Sequence, residues 1–99
     1  MTDTATETET LTDLKIPSLW NVKILNDDFS PIEFVIGILV MVFKKSEPEA
    51  LDMTLKVHEQ GSAVAGTYTK DIAFTKIERA LKLAESNGHP LRLVPEPSA

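Results

Sequence analysis

The sequence predicts an α+β domain: a three-stranded, mainly antiparallel sheet covered on one face by three helices, in the order strand, helix, helix, strand, helix, strand. Three observations lead there. Runs with an apolar period of two alternate with runs of helical period. The connections between them are short, which favours a compact layered arrangement. One helix is apolar nearly all round, so it has to be covered on most sides.

The first strand is the run Trp20, Val22 and Ile24, alternating with Asn21 and Lys23. It stops at Asn26-Asp27-Asp28, three short acceptor-bearing side chains of the kind that turn a chain and cap nearby N–H groups. Ser30-Pro31-Ile32-Glu33 follows and reads as a capping box, with Ser30 at the N-cap and Pro31 at the first helical position. The first helix then runs through Val35, Ile36, Ile38, Leu39, Val40, Val42 and Phe43 to Lys44-Lys45.

Ser46-Glu47-Pro48-Glu49 offers a second capping box. Behind it Leu51, Thr54, Leu55 and His58 fall at i, i+3, i+4 and i+7, one face of a second helix that stops at Gly61. Ala63 to Tyr68 reads as a short strand whose small residues point to a close neighbour. Thr69 is positioned to cap a third helix in which Ala73, Ile77, Ala80, Leu81 and Ala84 share a face, while Lys76, Glu78, Arg79, Lys82 and Glu85 face solvent. Asn87-Gly88 ends it. Leu91 to Val94 forms the last strand, closed by Pro95 and Pro97.

Residues 1–17 are expected to be a disordered, acidic and threonine-rich extension, because Leu11 is the only large apolar residue between the initiator and Asp13. The folded domain is expected over residues 18–97. At 99 residues the chain suffices for one modest core. Apolar residues make up 42% and charged ones 25%, ordinary values for a globular protein.

Composition excludes several function classes. A net charge of −5 is the opposite of a basic nucleic-acid footprint and would welcome a cationic group such as a free amine. There is no cysteine, hence neither a disulfide frame nor a thiolate zinc site. No basic stretch followed by an apolar one marks a secretory signal, and the most apolar run, Ile32 to Phe43, is shorter than the roughly twenty residues a bilayer needs. These features predict a cytoplasmic protein without a membrane partner.

Asp27, Asp28, His58 and His89 are the candidate acid–base or metal set, yet there is no His-x-x-x-His pair, no glycine-rich phosphate loop and no Gly-x-Ser-x-Gly. His58 near a helix C-terminus also suits a capping and dipole role, and His89 before Pro90 reads as a turn residue. Asp71 and Lys76 belong by default to a solvated helix face. Periodicity leaves Phe29, Met53 and Tyr68 undivided between pocket lining and core.

Four segments in order carry a resemblance: Leu25-Asn26-Asp27-Asp28-Phe29-Ser30-Pro31-Ile32-Glu33-Phe34-Val35, Val57-His58-Glu59-Gln60-Gly61, Thr75-Lys76 and His89-Pro90-Leu91. Together, over about Pro17 to Val94, they resemble the ClpS family, adaptors of the bacterial Clp protease. The resemblance implies a monomeric, non-enzymatic adaptor with no cofactor and no metal. It would bind proteins that begin with Phe, Tyr, Trp or Leu and hand them to the N-terminal domain of a ClpA- or ClpC-type AAA+ unfoldase. It further implies that Asn26, Asp27 and His58 hold the α-amino group. Asp28, Ser30, Ile32, Val35, Thr54, Val57 and Leu91 would form the walls or mouth of the side-chain pocket, and Asp71 and Lys76 the docking surface for the unfoldase. The residue types suit that task, since an ammonium has three donors and needs acceptors from several directions.

Three positions depart from the family pattern. Ile32 stands where Met is usual at the pocket rim, Thr54 replaces a common wall Met, and Phe74 replaces a usual Glu on the third helix. The first two lead us to expect a wider, less adaptable pocket that favours aromatic residues over Leu. The competing class is a purely structural interaction module of ribosomal-stalk type, with no role for Asn26. A third is a small metal-dependent hydrolase using Asp27, Asp28 and His58.

Overall fold

The computed structural model describes residues 18–98, so the extension assigned to residues 1–17 lies outside the described residues. The elements are β1 (Leu19–Leu25), α1 (Ile32–Met41), α2 (Glu47–Gln60), β2 (Ser62–Thr69), α3 (Lys70–Ser86) and β3 (Arg92–Pro97). Their order is the one the periodicities predict. The sheet is antiparallel throughout, with strand order β2-β1-β3.

β1 is central, so its alternation sorts the two faces of the sheet. Val22 and Ile24 point into the core with Ala63, Ala65 and Leu93 from the flanking strands. On the open face Thr67 donates a hydrogen bond to Asn21 at 2.7 Å, and Lys23 pairs with Glu96 at 3.7 Å. α3 packs across all three strands, α2 packs against β2, and α1 lies on α2. A register shift between Val22 and Lys23 leaves β2 with one residue more than β1 there. Beside it a Cβ on Gly66 would meet the ring and hydroxyl of Tyr68, so any side chain there requires Tyr68 to shift.

The helix limits show which local signals hold. Ser46 is the N-cap of α2: its Oγ accepts from the Glu49 N–H and the Glu49 carboxylate accepts from the Ser46 N–H, a complete capping box. The Ser46 backbone bond, and then its hydroxyl, hold the Glu49 carboxyl below the usual glutamate range. At the other end Gly61 takes φ 92°, a left-handed conformation that suits glycine, and its N–H bonds to the Val57 carbonyl at 2.8 Å. Thr69 occupies the N-cap of α3 as expected, although its side chain makes no capping bond.

Several expectations need correction. The N-cap of α1 is Pro31, not Ser30, and no side chain caps that helix. Asp27 has taken over the turn: its Oδ1 accepts from the Phe29 N–H at 2.9 Å and from the Ser30 N–H at 2.6 Å. α1 ends at Met41, short of Phe43, and the chain reverses with Lys44 at φ 59°.

On α2 the buried face is Ala50, Thr54 and Val57, while Leu51 and Leu55 are more than 40% exposed. On α3 Leu81 is exposed and Lys76 turns inward rather than into solvent. β3 runs through both prolines, which is tolerated because it is an edge strand and a proline nitrogen there forfeits no ladder bond.

The two serines make opposite predictions. Ser46→Ala should cost about 1 kcal/mol in urea unfolding. Because Glu49 titrates below its unfolded value, its contribution is present above the ordinary glutamate range and fades as pH falls through the lowered value. Ser46→Ala should therefore also flatten the acid side of the stability profile. Ser30→Ala should show neither effect, and a comparable loss there would contradict the cap assignment.

Candidate functional site

The N–H of Asn26, one residue past β1, donates to the Gly61 carbonyl at 2.9 Å. That bond ties the strand tip to the C-terminal end of α2 and brings residues 32 apart in sequence, Asn26 and His58, to one cavity of about 200 Å³. Asp27, Asp28, Ser30, Ile32, Val35, Thr54, Val57 and Leu91 line the same cavity, so all ten residues anticipated for it are brought together. Ile24 and Leu25 line it as well and were not anticipated. Their signal lay in the alternation of β1, whose last residues must border whatever the following turn borders.

The lining divides by depth. Ile24, Val35, Thr54, Val57 and Leu91 are each less than a tenth exposed and form an apolar floor and wall. His58, Asp28 and Ile32 are exposed and Asn26 and Asp27 half-buried, which makes them the rim. Among the described residues, two carboxylates and no Lys or Arg line the cavity, so its mouth favours a cation. Asp27 spends Oδ1 on the turn, and among the described residues its Oδ2 accepts no hydrogen bond.

Thr54 presents a less polar wall than its residue type suggests. Its hydroxyl donates back to the Ala50 carbonyl at 2.7 Å, so the polar group is engaged within α2. Among the described residues, no three His, Cys, Asp or Glu side chains are close enough together to hold a metal ion, which removes the geometric basis of the hydrolase reading.

The three undecided residues fall outside the cavity. Met53 and Tyr68 pack half-buried against the core, and Phe29 is 78% exposed beside His89, Pro90 and Leu91. His89 packs edge-on to Phe34 with ring centroids 4.6 Å apart, in keeping with a structural turn residue.

Asp71 and Lys76 both lie on α3 but in unlike settings. Asp71 is exposed in the first turn. Lys76 is half-buried, with its ammonium donating to the Val42 carbonyl at 2.8 Å and lying 5.3 Å from the Tyr68 ring centroid. Burial, then the neighbouring Lys44 and Arg79, lower its pKa from the ordinary lysine value. Phe74, 43% exposed, stacks edge-on to Trp20 at 5.6 Å under Lys70.

Comparison with known proteins identifies the family and the fold. Residues 15–94 match the family model described as ATP-dependent Clp protease adaptor protein ClpS. The chain belongs to the ClpS family. Its members are adaptors rather than enzymes.

An ATP-dependent Clp protease adapter protein ClpS from Deinococcus radiodurans is 45% identical over 94 residues, 95% of this chain and 83% of that protein. A ClpS from Burkholderia thailandensis is 49% identical over 83 residues, 84% of this chain and 80% of that protein. Among solved structures, Agrobacterium tumefaciens ClpS2 bound to L-phenylalaninamide superposes with a TM-score of 0.81 at 40% identity. That likeness covers 84% of this chain and all of ClpS2. No helix among the described residues is long and apolar enough to cross a membrane.

The setting of Lys76 separates fold from surface. Lys76→Ala should lower unfolding stability by about 1 kcal/mol through loss of its bond to Val42, whereas Asp71→Ala should leave stability unchanged. Equal melting temperatures for the two variants would contradict the inward role of Lys76.

Proposed function

We propose that this chain is an adaptor that recognises the bulky hydrophobic N-terminal residue of N-degron proteins, Phe, Tyr, Trp or Leu, and delivers them to a Clp AAA+ unfoldase–protease. The observation that carries the proposal is the convergence of Asn26, Asp27 and His58 at the mouth of a cavity with an apolar floor. A free α-ammonium is the one peptide group that combines three donors, a positive charge and an adjacent side chain. In this reading the Asn26 carbonyl oxygen, the free oxygen of Asp27 and the neutral His58 imidazole accept from it. Asp28, Ser30, Ile32, Val35, Thr54, Val57 and Leu91 surround the first side chain. ClpS2, which carries L-phenylalaninamide, a free amine beside an aromatic side chain, supports the same assignment.

A volume of about 200 Å³ is smaller than the roughly 300–1,000 Å³ of sites for drug-sized ligands, and suits one side chain. Burial of an aromatic ring contributes about 1.5–3 kcal/mol and each bond to the ammonium about 1.5–3 kcal/mol. After the costs of association the expected affinity is near micromolar, about −8 kcal/mol. An adaptor that must release its cargo requires no more.

The finer assignments are part of the same proposal. The partner is the N-terminal domain of a ClpA- or ClpC-type unfoldase, met by the surface of α3 around Asp71 and Lys76. Because Lys76 is engaged with Val42, we assign it the shaping of that surface rather than a free charge on it. The adaptor acts as a cytoplasmic monomer, with residues 18–97 as the binding domain and residues 1–17 as an extension. Thr54, with its hydroxyl engaged, leaves a wall shorter than a methionine would. Ile32, exposed and β-branched, gives a stiff rim.

One titration series tests the reading. A Phe-leading peptide should bind and its N-acetylated twin should not, Asn26→Ala and His58→Ala should each weaken binding at least tenfold, and Trp- and Phe-leading peptides should outcompete a Leu-leading one. Binding that survives acetylation would overturn the function. Tightest binding to Leu would overturn the pocket-shape argument alone.

A further inference from the structure

Phe29 is the most exposed of the large apolar side chains among the described residues, yet its place is fixed. The Asp27 carboxylate accepts from its N–H at 2.9 Å and from that of Ser30 at 2.6 Å, so the ring projects from an ordered turn. That turn divides its side chains. Asp28 and Ser30 line the cavity, whereas Phe29 lies outside it and lines an open groove with Leu81, Ala84, His89, Pro90 and Leu91. The turn is therefore a partition one chain thick between cavity and groove, and Leu91 borders both. The far bank of the groove is ordered too: the His89 N–H donates to the Ala84 carbonyl at 2.8 Å, and its ring packs on Phe34.

We propose that this groove is a second subsite for the substrate chain, holding an apolar side chain at the third residue of the bound polypeptide. The inference rests on the reading that the cavity takes the first. In an extended chain successive side chains alternate, so the first and third share a side and stand roughly 7 Å apart. That spacing straddles a wall one chain thick, with the second side chain directed away from the protein. The lining from Phe29, Leu81, Ala84, Pro90 and Leu91 is hydrocarbon, so the occupant it favours is apolar. Position favours the substrate over the unfoldase as that occupant. The groove adjoins the cavity and lies at the C-terminal end of α3, with Ala84 roughly 20 Å along the helix axis from Asp71 and roughly 12 Å from Lys76.

The test uses the full chain and three peptides that share every residue after the third and begin Phe-Ser-Leu, Phe-Leu-Ser or Phe-Ser-Ser. Partial burial of the leucine should make the first bind about three- to tenfold more tightly than the last, while leucine in second place should give no such gain. Phe29→Ala should bring the ratio between the first and last peptides close to one, Leu81→Ser on the opposite bank should lower it, and Phe29→Leu should keep most of it. Equal wild-type affinities for those two peptides overturn the proposal, and this pair decides even if a variant fails to fold. An equal gain from leucine in second place overturns it too, as does a ratio that survives Phe29→Ala. If Phe29→Ala instead weakens binding to the N-terminal domain of the unfoldase, or loosens a dimer of this chain, with the ratio intact, the groove belongs to that occupant and the proposal falls.

An N-acetylated Phe-Ser-Leu peptide separates the two levels. If binding needs the free amine while the third residue makes no difference, only this inference falls. If acetylation changes nothing, the function reading falls and takes the inference with it.

Discussion

The hydrogen bond from the Asn26 N–H to the Gly61 carbonyl is the constraint on which the site depends. It is a main-chain bond, so it holds the end of β1 against the end of α2 whatever side chains surround it. Gly61 makes it possible by accepting the left-handed conformation that closes α2 and turns its own carbonyl outward to the strand tip. One residue thus ends a helix, leads into β2 and receives the turn that carries the acceptors. With that joint made, Asn26 and His58 reach the cavity mouth from two elements rather than one, as the recognition of a three-donor cation requires.

The cavity beneath separates two kinds of chemistry by depth. Water reaches the rim, where Asp28 and His58 are exposed, and charge costs little there. The floor is built from side chains that also belong to the core, such as Ile24 and Val57, so it is as rigid as the fold itself. Asp27 stands between the two regimes, with one oxygen ordering the turn and the other free. The same local competition that engaged Asp27 leaves Ser30 out of the cap, with its hydroxyl buried and, among the described residues, without a hydrogen-bond partner.

Element order, the α2 capping box, the Gly61 stop and the cavity residues were legible because each is a local signal or part of a motif. What escaped depended on partners far along the chain. Lys76 reads as a surface lysine until Val42, 34 residues earlier, supplies a carbonyl for it. Pro95 and Pro97 read as strand breakers unless one knows that β3 is an edge.

Helix α2 carries two interleaved faces of suitable period, and packing against α1 and β2 selected Ala50, Thr54 and Val57 over the larger Leu51 and Leu55. Ser30 failed for a subtler reason. The capping box was present in residue type, but an aspartate three positions earlier offered the Ser30 N–H a carboxylate instead.

The central claim is that the strand tip and the helix end form one receptor for an amino terminus. The most direct measurement follows the backbone amides of Asn26 and Gly61 and the His58 imidazole by NMR while a Phe-leading peptide is added. The account predicts that all three resonances move together along a single saturating isotherm. It would be contradicted if Asn26 and His58 stayed still while the peptide bound, or if the perturbations gathered on the outer face of α3.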